Sequence, residues 1–237
     1  MYHIRSCGAG AVTVEFENRV APEVNGRVMA LARAITQKKI SGITEVIPAF
    51  RALTIIFDPC RLSEEKLRRM IDRMADKGTA NTSGGRIFHI PVCYGGEFGC
   101  DLADVAEIHE ITEDEIVRRH SSRDYLIYML GFLPGFAYLG GLDETLVTPR
   151  LESPRTAVPA GAVGIGGEQT GVYPVESPGG WRLIGRTPLR PFDPARDPAI
   201  LYSAGDMIRF IPISPDEYRR SECEVADGTY KYVIENA

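Results

Sequence analysis

The sequence predicts an α+β chain of two domains: a small sheet-and-helix domain over residues 1–84, then a β-barrel domain over residues 85–237 organised around an all-β body. Three observations predict it. Before Gly78, runs of period two alternate with two stretches of period 3.6, the signature of short strands interleaved with amphipathic helices. Asn81-Thr82-Ser83-Gly84-Gly85 then forms a polar, small-residue joint, the expected domain boundary. From Gly131 to Pro191, finally, Gly and Pro recur every few positions among short apolar runs such as Ala162-Val163-Gly164-Ile165. No ordinary helix tolerates that density. The same stretch holds enough Val, Ile, Leu, Phe, Tyr and Trp to offset ordering entropy, which separates it from a disordered linker.

Each element follows from local pattern. Residues 11–16 (AVTVEF) alternate as a half-buried strand does. Pro22 sits where a helix can start, Val24, Val28, Leu31, Ala32 and Ile35 fall at helical spacing, and Gly42 is the stop signal. Ile43–Ile47 and Leu53–Phe57 are two β-rich runs parted by Pro48. Ser63, Glu65 and Lys66 open a second helix striped by Leu67, Met70, Ile71 and Met74, with Gly78 as its end. The order is β-α-β-β-α, and a strand near Arg86–Val92 is expected to complete a ferredoxin-like sheet with both helices on one face. Tyr94–Gly99 reads as a glycine-rich loop, Asp101 as the cap of a helix through His109, and Thr112–Glu115 as a capping box ahead of a helix to His120. Tyr125–Leu130 is the strand that feeds the Gly/Pro body, which is expected to be the functional surface. Asp206–Pro212 is a last strand of that body, and Tyr230–Ile234 closes a polar tail.

Bulk properties narrow the function. The net charge of −5 and the lack of a Lys/Arg block argue against nucleic-acid binding through a basic face. No apolar run approaches the ~18–20 residues of a spanning helix, and the N-terminus lacks the apolar segment of an export signal, so a cytoplasmic protein without membrane association is expected. Five cysteines at scattered spacings (Cys7, Cys60, Cys93, Cys100 and Cys223) make neither a disulfide framework nor a zinc site, and no metal is expected.

The segment Gly180–Thr187 (GWRLIGRT) superficially resembles a phosphate loop, but Pro188 and Pro191 forbid the helix whose amides would hold the anion. Its glycines remain available as an anion-binding nest of backbone amides. Gly164-Ile165-Gly166-Gly167 is a turn between barrel strands and no dinucleotide fingerprint, because no helix follows. Neither an esterase elbow nor a zincin motif is present. His120, just ahead of the strand that enters the Gly/Pro body, is expected at that body's mouth. Arg150, Arg155, Arg182 and Arg186 stand in or beside turns; their forked donors suit a carboxylate or phosphate, and solvated surface charge is the plain alternative. Tyr173 and Trp181 are either core packing or a ligand face. Gln169 and Thr170 place neutral hydrogen-bonding groups between glycines, as amide recognition or a simple turn requires.

Longer strings then resemble a known family. Residues 90–99 (IPVCYGGEFG), His120-Ser121, 129–142 (MLGFLPGFAYLGGL), 148–155 (TPRLESPR), 158–161 (VPAG), 169–174 (QTGVYP) and 177–188 (SPGGWRLIGRTP) closely resemble the 5-oxoprolinase B-subunit family, also called allophanate hydrolase subunit 1. The sequence departs from the usual pattern at Cys100, where proline is common, at Ala162, where serine is common, and at Glu168, which adds negative charge near the supposed pocket. The resemblance implies a ferredoxin-like first domain and a cyclophilin-like β-barrel. It further implies a subunit of ATP-dependent 5-oxoprolinase, opening 5-oxo-L-proline to L-glutamate beside C-type and A-type subunits, with ATP bound by a partner. The substrate-binding candidates are His120, Arg155, Gln169, Thr170, Tyr173, Trp181 and Arg186, in binding and electrostatic roles; no nucleophile is assigned. One branch of the family inhibits a sensor histidine kinase, and related domains sit within urea carboxylase, so a kinase regulator and an amide or urea carboxylation subunit are the alternatives. A cyclophilin-like shape by itself implies no isomerase activity.

Overall fold

The computed structural model describes residues 2–19, 21–75 and 85–236. The chain divides into two compact units, Met1–Ser83 and Gly84–Ala237. The residues of the expected joint lie outside the described ones, Gly85 excepted, as does Gly78.

The first unit holds strands β1 (His3–Ser6) and β2 (Ala11–Glu15), helix α1 (Pro22–Gln37), strands β3 (Ile43–Pro48) and β4 (Ala52–Phe57), and helix α2 (Glu64–Ala75). The sheet order is β1-β2-β4-β3, antiparallel throughout. Val12 and Val14 of β2, and Leu53, Ile55 and Phe57 of β4, share one buried face by the two-residue period of a strand. Onto that face α1 presents Val24, Val28, Leu31 and Ile35, and α2 presents Leu67, Ile71 and Met74. Pro22 occupies the first turn of α1, where its missing N–H has no intrahelical partner to lose. Gly42 does not stop α1, which ends at Gln37; it turns the chain into β3 at φ +97, where an added Cβ would stand 2.8 Å from Leu62 Cβ.

Residues 86–92 do not complete this sheet; its edge beside β2 is taken by β1. β1 is mostly exposed, so its sequence carries no buried alternation.

The second unit is built on β5 (Arg86–Tyr94). Helices α3 (Leu102–His109) and α4 (Glu113–Ser121) follow, then β6 (Asp124–Leu130), β7 (Ala137–Gly140), β8 (Arg155–Val158), β9 (Ala162–Gly166), β10 (Gln169–Val172), β11 (Ser177–Gly179), β12 (Arg182–Arg186) and β13 (Met207–Pro212). Helix α5 (Pro215–Ala226) and β14 (Ile234–Asn236) end the chain. The order β10-β9-β12-β5-β13-β6-β7 curls into a nearly closed, barrel-like sheet, and β14 pairs with the start of β5. The parallel pairing of β5 with β13 lies at its centre. The ends β7 and β10 face each other without a hydrogen-bonded ladder: an added Cβ at Gly171 would lie 3.1 Å from the Ala137 carbonyl oxygen. β8 and β11 form a separate two-stranded ribbon.

Ile90, Val92, Ile127, Val163, Ile165, Ile184, Ile208 and Phe210 fill the barrel, with Leu102, Val105 and Ile116 of α3 and α4 in the same core. Helix α5 has only Tyr218 buried, so no apolar stripe announces it; its signal is the capping box of Ser214 and Glu217, with Pro215 in the first turn. The terminal strand runs over 234–236 and not over 230–234.

Candidate functional site

The open seam of the barrel holds a cavity of about 130 Å³. Phe136 and Tyr138 come from β7 and its approach, Tyr173 follows β10, and Pro178–Gly180 and Trp181 lead from β11 into β12. Phe132 and Arg150 complete the wall from the loops either side of β7.

Missing side chains place the indole. Gly164 and Gly166 lie two residues apart on one face of β9, and Gly171 pairs opposite Gly164 on β10. A Cβ on Gly164 would come 3.3 Å from Trp181 Cβ, and one on Gly171 would come 3.2 Å from Trp181 Cζ3. At Gly166 it would fall inside 3.0 Å of the indole ring, a separation that real Cβ atoms do not show. Gly166 and Gly171 therefore form a shallow tray for one ring, with Gly164 against the Cβ of the same side chain, and Trp181 is 4% exposed. Phe136 and Tyr173 meet Trp181 edge-on, at 5.6 and 5.9 Å between centroids, the geometry favoured by ring quadrupoles. Burial raises the Tyr173 hydroxyl pKa, opposed by the Trp181 backbone and by the charges of Arg150 and Arg155. Phe132 is 65% exposed and adopts φ +65, a left-handed conformation that costs a bulky residue strain.

Among the described residues, Arg150 is the only charged one in the cavity wall. Its guanidinium stands 5.9 Å from the Trp181 ring centroid, and no carboxylate or carbonyl of the described residues accepts from it. The other three arginines are engaged. Arg155 donates to Asp101 Oδ1 at 2.7 Å and to the Trp181 carbonyl at 3.4 Å. Arg182 reaches Asp104 at 3.2 Å, and Arg186 Nε donates to the Ala160 carbonyl at 3.0 Å.

Asp101 does not cap α3 as its place in the sequence predicts. It occupies the N-cap position, but its carboxylate instead accepts from Arg155 and, at 2.7 Å, from the Leu183 N–H. The Asp101 N–H in turn donates to the Leu183 carbonyl, which latches the glycine-rich loop to β12. Thr112 does cap α4, whereas the Glu115 carboxylate goes to Arg118 and Arg119 rather than back to the cap.

His120 is not at a mouth. It is fully enclosed, 4.6 Å from the Phe210 ring in a stacked arrangement, and burial pulls its pKa down to about 3. Its bonds fix one neutral tautomer. Thr170 Oγ1 donates to the Gly164 carbonyl, so it accepts from His120 Nε2–H at 2.8 Å; Nδ1 then accepts from the Tyr94 hydroxyl, also at 2.8 Å. His120 and Thr170 thus form one interior relay that ties α4, β5, β9 and β10 together. Tyr173 and Trp181 meet at the cavity, while Gln169, Arg155 and Arg186 do not line it. Phe132, Phe136, Tyr138 and Arg150 complete the site. The sequence signal for three of them is the MLGFLPGFAYLG string itself, with aromatics spaced around a Gly-Phe-Leu-Pro-Gly turn.

Burial raises the Cys93 and Cys100 thiols, the reverse of an activated thiolate. Among the described residues, no helix is long and apolar enough to cross a membrane, and no three His, Cys, Asp or Glu side chains form a group that could hold a metal.

Residues 2–202 match the family model described as carboxyltransferase domain, subdomain C and D. The chain is 42% identical over 228 residues to the 5-oxoprolinase B subunit of Bacillus subtilis (strain 168), covering 92% of this chain and 95% of that one. It is 45% identical over 206 residues to the protein of the same name from Escherichia coli O157:H7, covering 86% and 93%. The crystal structure of the K. lactis urea amidolyase superposes with a TM-score of 0.83 over all of this chain and 16% of that one; at 20% identity this likeness concerns the fold alone. Matched over most of its length, the chain belongs to the carboxyltransferase-domain family, among its 5-oxoprolinase B subunits.

Proposed function

We propose that this chain is a non-autonomous subunit of an ATP-dependent 5-oxoprolinase, contributing part of a composite site at which 5-oxo-L-proline is opened to L-glutamate. The observation that carries the reading is the 42–45% identity, over most of the chain, to proteins named as 5-oxoprolinase B subunits. The cavity supports it. Its volume of about 130 Å³ is roughly four times the ~30 Å³ share of a liquid water, room for a small ring amide. Its wall has aromatic faces, glycine backbone and one guanidinium, but no His, Asp, Glu, Ser or Cys among the described residues. Such a wall binds and orients; it offers no general base for water and no phosphate cradle. Those functions fall to partners, a C-type subunit at the shared site and an A-type subunit with ATP. The accompanying fold reading is a ferredoxin-like first unit, supported by its β2-α1-β3-β4-α2 order with both helices on one face, and a cyclophilin-like barrel. A cytoplasmic setting goes with it.

A second reading, amide or urea carboxylation, is favoured by the carboxyltransferase description of the family and the shared fold with urea amidolyase. The test is 5-oxoproline-dependent ATP hydrolysis by this chain alone, then with A-type and C-type subunits. Turnover in the mixture alone supports a shared site. A stable complex that turns over a different amide, or transfers carboxylate from biotin, overturns the 5-oxoproline reading.

A further inference from the structure

We propose that Arg150 is the anchor for the carboxylate of a small, flat-ringed ligand bound in the seam cavity, with the ring against the aromatic wall of Trp181 and Phe136. The cavity defines the class of ligand; that the ring is 5-oxoproline rests on the 5-oxoprolinase reading.

Four arginines that look alike in sequence differ in their partners. Arg155 and Arg182 are paired with the carboxylates of Asp101 and Asp104, and Arg186 donates through Nε to the Ala160 carbonyl. Arg150 has no such acceptor among the described residues, and its one described contact is the face of Trp181. An exposed arginine without a partner is ordinary. This one lines a formed cavity, is the sole charge there, and faces no carboxylate in the wall. Glu168, the charge that would oppose an anion, lies in the exposed β9–β10 turn and does not line the cavity.

The shape selects the rest of the ligand. A guanidinium presents a planar fork of donors that matches a carboxylate bidentately. Its cation–π contact with the indole, 5.9 Å from the ring centroid, favours one side-chain position and limits the rotamer entropy lost on binding. The glycine tray fixes the indole beneath it, so the distance between anchor and wall is set before the ligand arrives. Phe136 and Tyr173, edge-on to Trp181, make the wall beside the anchor aromatic, as an apolar ring face requires. The volume excludes a nucleotide.

The chain has a single tryptophan, so its emission reports on this cavity. The wild-type chain is titrated with 5-oxoproline, with pyrrole-2-carboxylate, and with 2-pyrrolidinone, the ring amide that lacks the carboxylate. The two carboxylates are expected to shift the Trp181 emission saturably, and 2-pyrrolidinone to bind at least ~10-fold more weakly. Arg150→Ala is expected to weaken carboxylate binding about 10- to 100-fold, the range for hydrogen bonds to a charged group, while leaving the thermal midpoint unchanged. Glu168→Gln, a charge change of the same size and opposite sign in the adjoining turn, leaves affinity within about twofold. Equal binding of 2-pyrrolidinone and 5-oxoproline, or full affinity in Arg150→Ala, overturns the anchor. Pyrrole-2-carboxylate bound through Arg150 without any binding of 5-oxoproline keeps the anchor and removes the 5-oxoprolinase reading. If the isolated chain binds neither carboxylate, the same variant is measured in the assembled complex, where an unchanged KM for 5-oxoproline, or no carboxylate binding at all, overturns the anchor.

Discussion

Replacing Gly166 with alanine tests the tray on which the site is built. The new Cβ would enter the space of the indole, inside 3.0 Å of Cγ, Cδ1 and Nε1 of Trp181. The ring cannot slide aside, since Phe136 and Tyr173 flank it and Gly171 lies against it without spare room. Overpacking of this kind costs about 1–3 kcal/mol. If instead half of the ~200 Å² buried by a tryptophan is driven into water, ~2.5 kcal/mol is lost at ~25 cal/mol per Å². The two are alternative ways of relieving one clash and the cheaper sets the cost, so we expect a loss of about 2 kcal/mol. At ~2–4 °C per kcal/mol for a chain of this size, the melting midpoint falls by about 4–8 °C. The emission of Trp181 shifts to the red in the folded variant. Gly167→Ala is the contrast. Gly167 has φ +68 and nothing within 4 Å of the methyl that alanine would add, so the change costs backbone strain of about 1–2 kcal/mol and leaves the indole alone. The assay is thermal unfolding by circular dichroism alongside native-state fluorescence. A Gly166→Ala protein with wild-type emission and midpoint, or a Gly167→Ala protein with an equally shifted emission, refutes the tray.

Three further outcomes follow from the same packing. Phe132→Gly relieves about 1–2 kcal/mol of left-handed strain but frees the unfolded chain and gives up the edge-on contact with Phe136, so stability should stay within about 1 kcal/mol while affinity for the cavity ligand falls; a loss above about 2 kcal/mol in denaturant titration contradicts the strain. His120 is neutral in the fold, its pKa pulled by burial to about 3 from 6.5, so the unfolded chain binds the proton first as pH falls. Stability is complete above about pH 6.5 and drops towards pH 3 by up to ~1.4 kcal/mol per unit; His120→Gln should lack this component, and an identical pH slope in both proteins rules it out. Asp101→Ala leaves Arg155 and the Leu183 N–H without their acceptor, and unfolding free energy should fall by about 3 kcal/mol, against under ~1 kcal/mol for the exposed Asp104→Ala. Equal losses would show that the latch contributes nothing beyond a surface pair.

What can be read in the sequence is whatever is encoded over a few residues. The stripes of α1 and α2, the alternation of β2 and β4 and the Gly/Pro body are local patterns, and the structure contains them. β1 and α5 bury too little to leave a pattern, which is why the sequence points to residues 86–92 for the edge of the first sheet. The site escapes a local reading for a different reason, because its meaning lies in long-range pairs. Arg150 and Arg155 are equivalent as letters; the acceptor that occupies Arg155 stands 54 residues earlier, and the one that occupies Arg182 stands 78 residues earlier. His120 ends a helix next to two serines, which suggests a surface, yet its partners Tyr94 and Thr170 lie 26 and 50 residues away and enclose it.

Glycine shows the same limit from the other side. Gly164, Gly166 and Gly167 read as a turn, and Gly167 with its positive φ is one. Gly166 is a strand residue whose side chain is absent because the Trp181 ring, ahead of β12, needs the space, and Gly164 on the same strand lies against the Arg182 carbonyl and Trp181 Cβ. A glycine's conformational role shows in its neighbours, whereas its steric role shows only in whatever lies across from it. The cavity depends on the second role: were these glycines merely flexible, alanine at Gly166 would be tolerated and Trp181 would have no fixed place beneath Arg150. The tray and the anchor therefore stand on one geometric fact, the depth at which the indole sits, and fluorescence of a single tryptophan reads it directly.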